Sequence, residues 1–241
     1  MQYVWFIWSL IILALWGVVY LMKKDSRREM LKMSWITMPF GLTEPLFVPE
    51  YWSPPSLFHL AEKTGFDIES LIFSFAIGGI GAVLYRLVQR RNLIEIPVSE
   101  RKYARHRLHR YILLVPALVF ALLAYFTTLH HIYCGIIAMF TGALATLYCR
   151  PDLKGKIWIG GLLFTLLYFL YFGSILPFYP DYVELYWNLD ALSHILILGI
   201  PLEELLFAFS FGMLWSSLYE HLYWQKLVKE LKPKLNPYGS L

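Results

Sequence analysis

Long apolar stretches separated by short charged segments set the plan of this chain. The runs at 3–22, 66–88, 108–126, 132–149, 156–176 and 191–215 each come close to the roughly 20 residues that carry a helix across a bilayer. A seventh run, 33–48, is shorter, holds Glu44 and is interrupted by Pro39, Gly41 and Pro45. It predicts a broken or partly re-entrant helix shielded by protein rather than lipid.

The pattern also repeats. Residues 66–75 superpose on residues 200–209, with Glu69 opposite Glu203. Tyr51-Trp52-Ser53 matches Tyr186-Trp187-Asn188, and Met38-Pro39-Phe40 matches Leu176-Pro177-Phe178, so the three spacings are 134, 135 and 138 residues. Such regular spacing predicts two diverged copies of one unit, and joined copies commonly build a binding site between them. The expected fold is therefore an all-α polytopic membrane protein of seven transmembrane helices, two diverged three-helix repeats plus a linking helix. Its parts are a first repeat over 1–91, a basic linker and linking helix over 92–130, a second repeat over 131–225 and a cytoplasmic tail over 226–241.

Composition and charge agree with that plan. A chain that is 58% hydrophobic and only 16% charged is too apolar for a soluble domain of this length. With the N-terminus outside, 20 of the 21 Lys and Arg fall on the cytoplasmic side and Lys63 alone stays outside, as the positive-inside rule demands. Omitting the weak run at 33–48 would scramble this asymmetry. The expected placement is the cell membrane, multi-pass, with a cytoplasmic C-terminus. The net charge of +4 is accounted for by the same rule and by anionic lipid, so no nucleic-acid partner is expected. The first run has no basic residue before it and no small-residue cleavage site after it, which reads as a retained anchor. Cys134 and Cys149 lie roughly 22 Å apart along one helix and cannot pair. His106, His109, His130 and His131 show no convergent ligand spacing in the sequence, so no metal is expected.

Candidate chemistry centres on the acids. If the last helix starts near Leu192, Glu203 lies about 16 Å along it, near the bilayer middle. Acids at that depth are costly and usually functional, and a carboxyl group in a dry, aromatic pocket is suited to hand a proton to a hydrophobic partner. Neighbouring helical positions differ by about 100°, so Glu203 and Glu204 cannot face one site at equal depth. One is expected as the acid and the other in a structural hydrogen bond. Phe73 and Phe207, four residues after the aligned acids, share their helix faces and are expected to shelter cationic charge. Tyr51, Trp52, Tyr186 and Trp187 belong either to an interfacial aromatic belt or to the wall of a hydrophobic ligand site. Glu44 is a further candidate acid. Gly78-Gly79-Ile80-Gly81 predicts a close helix contact, since no strand can precede it as a nucleotide loop would require. Serine-hydrolase, Walker and zincin patterns do not occur.

The stretch Pro201-Leu202-Glu203-Glu204 followed by Leu205-Leu206-Phe207, the duplicated three-span units, the Trp-bearing outer segments and the overall length resemble the lycopene cyclase domain family. These membrane-embedded carotenoid cyclases occur as two small subunits, as a fused chain or as part of a bifunctional protein, and this chain is similar to the fused form. The resemblance implies redox-neutral closure of ionone rings at the open ends of lycopene, with intramembrane glutamates as acid and base. In the first copy only Glu69 transfers, because Asp67 and Ser70 stand where the family pattern has Pro and Glu. Glu203 or Glu204 would then be the acid, Phe73 and Phe207 the shelter, and Glu69 the base or a modulator of the acid. No cofactor is expected, flavin and nicotinamide included. The expected partners are a lipid-soluble polyene or isoprenoid and the bilayer, with other carotenoid-pathway enzymes or a second copy of the chain as further candidates. The competing readings are a non-catalytic isoprenoid- or carotenoid-binding protein and a proton-coupled transporter. A glutamate-type intramembrane protease would need a basic residue and transmembrane histidines beside the acid pair.

Overall fold

The computed structural model describes residues 1–89 and 91–229; Arg90, Lys232, Lys234 and the rest of 230–241, most of the expected tail, lie outside the described residues. Helix α1 (Val4–Met22) turns into α2 (Arg27–Thr37), which runs on as a 3₁₀ helix over Met38–Leu46. This is the weak run at 33–48. Pro39 and Pro45 remove backbone donors, and the tighter 3₁₀ winding carries the chain through them. After the short α3 (Leu60–Thr64), closed by Gly65 at φ +80°, comes α4 (Ile68–Val88). Its N-cap is Asp67, whose carboxylate accepts from the Ser70 amide at 2.5 Å. The linker holds β1 (Arg91–Glu95), α5 (Val98–Arg101), α6 (His109–Ile112) and α7 (Val115–Phe126). Then follow α8 (His131–Cys149), α9 (Lys154–Gly173), α10 (Tyr182–Tyr186), a hairpin of β2 (Leu196–Ile197) and β3 (Ile200–Pro201), α11 (Leu202–Leu222) and β4 (Gln225–Lys229).

Among the described residues four helices are long and apolar enough to cross a membrane: α1, α4, α8 and the stretch Pro151–Gly173. Helix α11 has the length but carries Glu203, Glu204 and Glu220. Leu162, Leu166 and Leu170 recur every four residues on α9 and are exposed, a stripe that lipid would cover. The chain is thus mostly helical and built for membrane association.

Helices α4 and α11 lie against each other at the centre; α1 and α2 cover α4, while α8 and α9 cover α11. Small residues permit these approaches. A Cβ on Gly79 would sit 2.3 Å from Ser34 Oγ, and one on Gly212 would come 2.8 Å from the Gly160 carbonyl oxygen, so the expected glycine contact face is present and α9–α11 has one of its own.

Three expectations change. The last helix begins at Leu202 rather than near 191, because Leu198 and Gly199, both at positive φ, make the tight β2–β3 turn and Pro201 then starts a new helix. The linking helix keeps only 12 residues in α7, since the chain bends at Leu113–Leu114 ahead of Pro116. The all-α expectation misses two small sheets, of which β1–β4 joins the segment after α4 to that after α11, with Leu93 opposite Leu227.

The basic end of the bundle is tied by buried charge. Lys156 on α9 pairs with Glu220 of α11 and lies 3.5 Å from Glu29 of α2, and Glu29 also takes Arg86 of α4 at 2.6 Å. Lys156 and Glu220 are fully buried, so each charge depends on the others. Lys156→Met is expected to cost about 3–5 kcal/mol in thermal unfolding of the detergent-solubilised protein, because Glu220 loses its cation. Lys156→Met with Glu220→Leu should recover most of that loss.

Candidate active site

At the opposite end the acids sit in the first turns of the two central helices. Glu69 opens α4, and Glu203 and Glu204 open α11. The late start of α11, at Leu202, removes the expected 16 Å of helix before Glu203. Glu69 and Glu203 therefore face the irregular segments that lead into their helices.

Glu204 accepts three hydrogen bonds: from the Tyr51 hydroxyl at 2.6 Å, the Tyr168 hydroxyl at 2.5 Å and the Trp187 indole at 3.0 Å. All four residues are buried. The donors come from the segment before α3, from α9 and from the strand-like residues after α10. Trp187 can only donate, whereas a tyrosine hydroxyl can also accept. A proton placed on Glu204 therefore still finds an acceptor beside it. Tyr168 was not apparent from the sequence; it lies inside an apolar run with other tyrosines, and no spacing sets it apart.

Glu203 turns elsewhere, as the 100° offset requires. One of its oxygens accepts from the Tyr133 hydroxyl at 2.6 Å and from the Ser193 amide at 2.9 Å, and the other is buried without a partner among the described residues. Glu69 does the same in the first half, accepting from the Leu57 amide at 2.6 Å with its second oxygen unpartnered. The aligned acids thus play matching local parts, each accepting from a backbone amide of the segment that precedes its helix. Glu44 is buried with both oxygens unpartnered, next to Asp67 and Ser70. Asp67 is held by the Trp5 indole at 3.3 Å.

Aromatic rings enclose Glu204. Tyr168 stands between Phe73 and Phe207, with ring centroids 6.3 Å from each. Trp187 packs on Trp52 at 5.3 Å and on Phe172 at 5.3 Å, and Trp5 touches both Trp52 at 4.9 Å and Phe73 at 5.3 Å. The two expected shelter residues thus meet at the tyrosine that binds the acid. Tyr51 and Trp187 are buried against Glu204. Tyr186 contributes its backbone, its ring lying on Tyr182 at 4.9 Å.

Trp52 and Trp187 form an isolated antiparallel bridge. The Ser53 amide donates to the Tyr186 carbonyl at 2.8 Å, and the Asn188 amide donates to the Tyr51 carbonyl at 3.0 Å. Exchanging each residue for its aligned counterpart turns one bond into the other.

A second cluster lies at the basic end. His106, His109 and Cys149, read from the sequence as unrelated, place their ligand atoms within 4.8 Å of one another. The linker folds back over the end of α8, a long-range contact that residue spacing alone does not reveal.

No curated protein and no solved structure matches the chain significantly. A family model does: residues 130–222, which span α8 to the end of α11 and include Glu203, Glu204, Tyr133, Tyr168, Trp187 and Phe207, match lycopene cyclase. Over α8 to α11, less than half of its length, the chain is similar to the lycopene cyclase family.

Proposed function

We propose that the protein is a carotenoid cyclase of the lycopene type, an intramolecular lyase or isomerase that closes an ionone ring on the acyclic end of a polyene. The family match to the second half supports the class of reaction. The observation that carries the assignment of the acid is Glu204, a buried carboxyl group with three side-chain donors inside a cage of aromatic rings. Glu204 gives its proton to the terminal double bond, leaving a tertiary carbocation. An internal double bond attacks that cation and closes the six-membered ring, which moves the positive charge into the ring. The carboxylate left on Glu204 then removes a ring proton. One proton enters and one leaves, so no electron carrier is required. The faces of Phe73, Tyr168, Phe207 and Trp187 stabilise the cation through their quadrupoles, an effect that grows when water is excluded. Glu203 and Glu69 hold the segments above the site, and Glu44 lies behind Asp67.

We further read the chain as two diverged copies, with seven passes and the N-terminus outside. The reciprocal bonds at Trp52–Trp187 support this, as does the self-matching register of β1 with β4. Arg86 and Glu220, aligned at a spacing of 134, pair with Glu29 on α2 and Lys156 on α9, the same helix-to-helix tie with the charges exchanged.

Expression in a lycopene-accumulating host with pigment analysis tests the reading. Glu204→Gln should lower ring formation by about 10²–10⁴-fold while the protein stays folded in the membrane, since Gln keeps the shape but delivers no proton. If the unmutated protein forms no cyclic product from any acyclic carotenoid, the enzyme reading fails.

Glu203→Gln and Glu69→Gln retain an acceptor for the Ser193 and Leu57 amides, so each should reduce conversion only a few-fold. A loss at Glu203→Gln as large as at Glu204→Gln, at equal protein level, would move the acid to Glu203.

A further inference from the structure

We infer that His106, His109 and Cys149 form a binding site for one thiophilic metal ion, zinc(II) or copper(I), at the basic end of the bundle. Independent of the cyclase reading, it rests on geometry. Nδ1 of His106 and Nδ1 of His109 each lie 3.3 Å from Cys149 Sγ. A tetrahedral ion with bonds of about 2.3 Å to sulfur and about 2.0 Å to nitrogen separates its N and S ligands by about 3.5 Å. The three donors are therefore already spaced to share one ion. All three side chains are buried, and a thiolate with two imidazoles is a donor set that selects zinc or copper(I) over hard cations.

The surroundings hold the ligands in place. Nε2 of His109 lies 3.0 Å from the His221 carbonyl oxygen, a bond that puts the proton on Nε2 and leaves the Nδ1 lone pair towards the sulfur. The His109 ring is fixed between Trp224, 3.7 Å away, and His221, 3.8 Å away, both nearly parallel to it. A cavity of about 190 Å³ lined by His106, Arg150 and Asp152 opens beside the cluster and gives a fourth ligand access. Arg150 is balanced by Asp152 and by the carbonyl oxygens of Glu220 and Gln225. Such an ion would clasp the linker, which carries both histidines, to the end of α8 and through the His221 carbonyl to α11.

The competing arrangement is a shared-proton set without metal. Arg105 Nε lies 3.4 Å from His106 Nε2, and a donor there would place the His106 proton on Nδ1, facing the sulfur. Metal uptake separates the two. Full-length protein purified in detergent is titrated with Zn²⁺ and, under reductant, with Cu⁺. About one ion per chain is expected, with a thiolate-to-metal charge-transfer band when Co²⁺ is used as the probe. Cys149→Ser and His109→Ala should weaken binding at least 100-fold, and Cys134→Ser should leave it unchanged. Uptake that is no greater in the unmutated protein than in Cys149→Ser overturns the proposal. If Cys149→Ser does not fold, alkylation of Cys149 in the unmutated protein replaces it. Protection by bound metal that chelation removes supports the site, and equal alkylation with and without metal refutes it.

Discussion

A buried carboxyl group must find hydrogen-bond partners inside the protein, and most of what is distinctive here follows from how Glu204 finds three. Its donors arrive from separate parts of the chain: Tyr51 from the first half, Tyr168 from α9 and Trp187 from the segment that precedes α11. Bringing them together requires the two Trp-bearing segments to meet, which they do through paired backbone bonds, and requires α9 to lie close along α11, which glycines at 160 and 212 allow. The aromatic enclosure is then a by-product of the donors chosen, since each brings a ring with its polar tip.

The other end of the bundle solves a different problem. Lys156, Glu29, Arg86 and Glu220 neutralise one another across four helices, and the nearby histidines and Cys149 are gathered by the linker. Buried charged side chains are thus concentrated at the two ends, and the stretch between them is held by small residues and by rings such as Phe164, Phe211 and Trp215.

Much of this was legible in the sequence. Apolar run lengths located α1, α4, α8 and α9 to within a few residues, and the glycine cluster on α4 marked a real helix contact. The aligned Tyr-Trp pairs pointed to segments that do meet, and Phe73 and Phe207, singled out by the four-residue offset, both lie against Tyr168. The start of α11 was missed because Leu198 and Gly199 turn within an apolar run whose hydropathy is indifferent to backbone direction. That error moved Glu203 away from the helix start and hid the difference between an acid that anchors a loop and one lined by aromatic donors. Tyr168 and the His-Cys cluster were invisible for a common reason: each depends on contacts between residues 36 or more positions apart, which periodicity does not encode.

The Trp52–Trp187 bridge lies where the two halves exchange roles, and a site built on such a meeting point belongs to both halves at once. The first half has Ser70 at the position matching Glu204 and need not keep an acid of its own. Under the cyclase reading, a long polyene with two equivalent ends would have to bring each end in turn to the same Glu204. Closing both ends then takes two separate visits, with the half-finished molecule leaving, reversing in the bilayer and entering again by its other end.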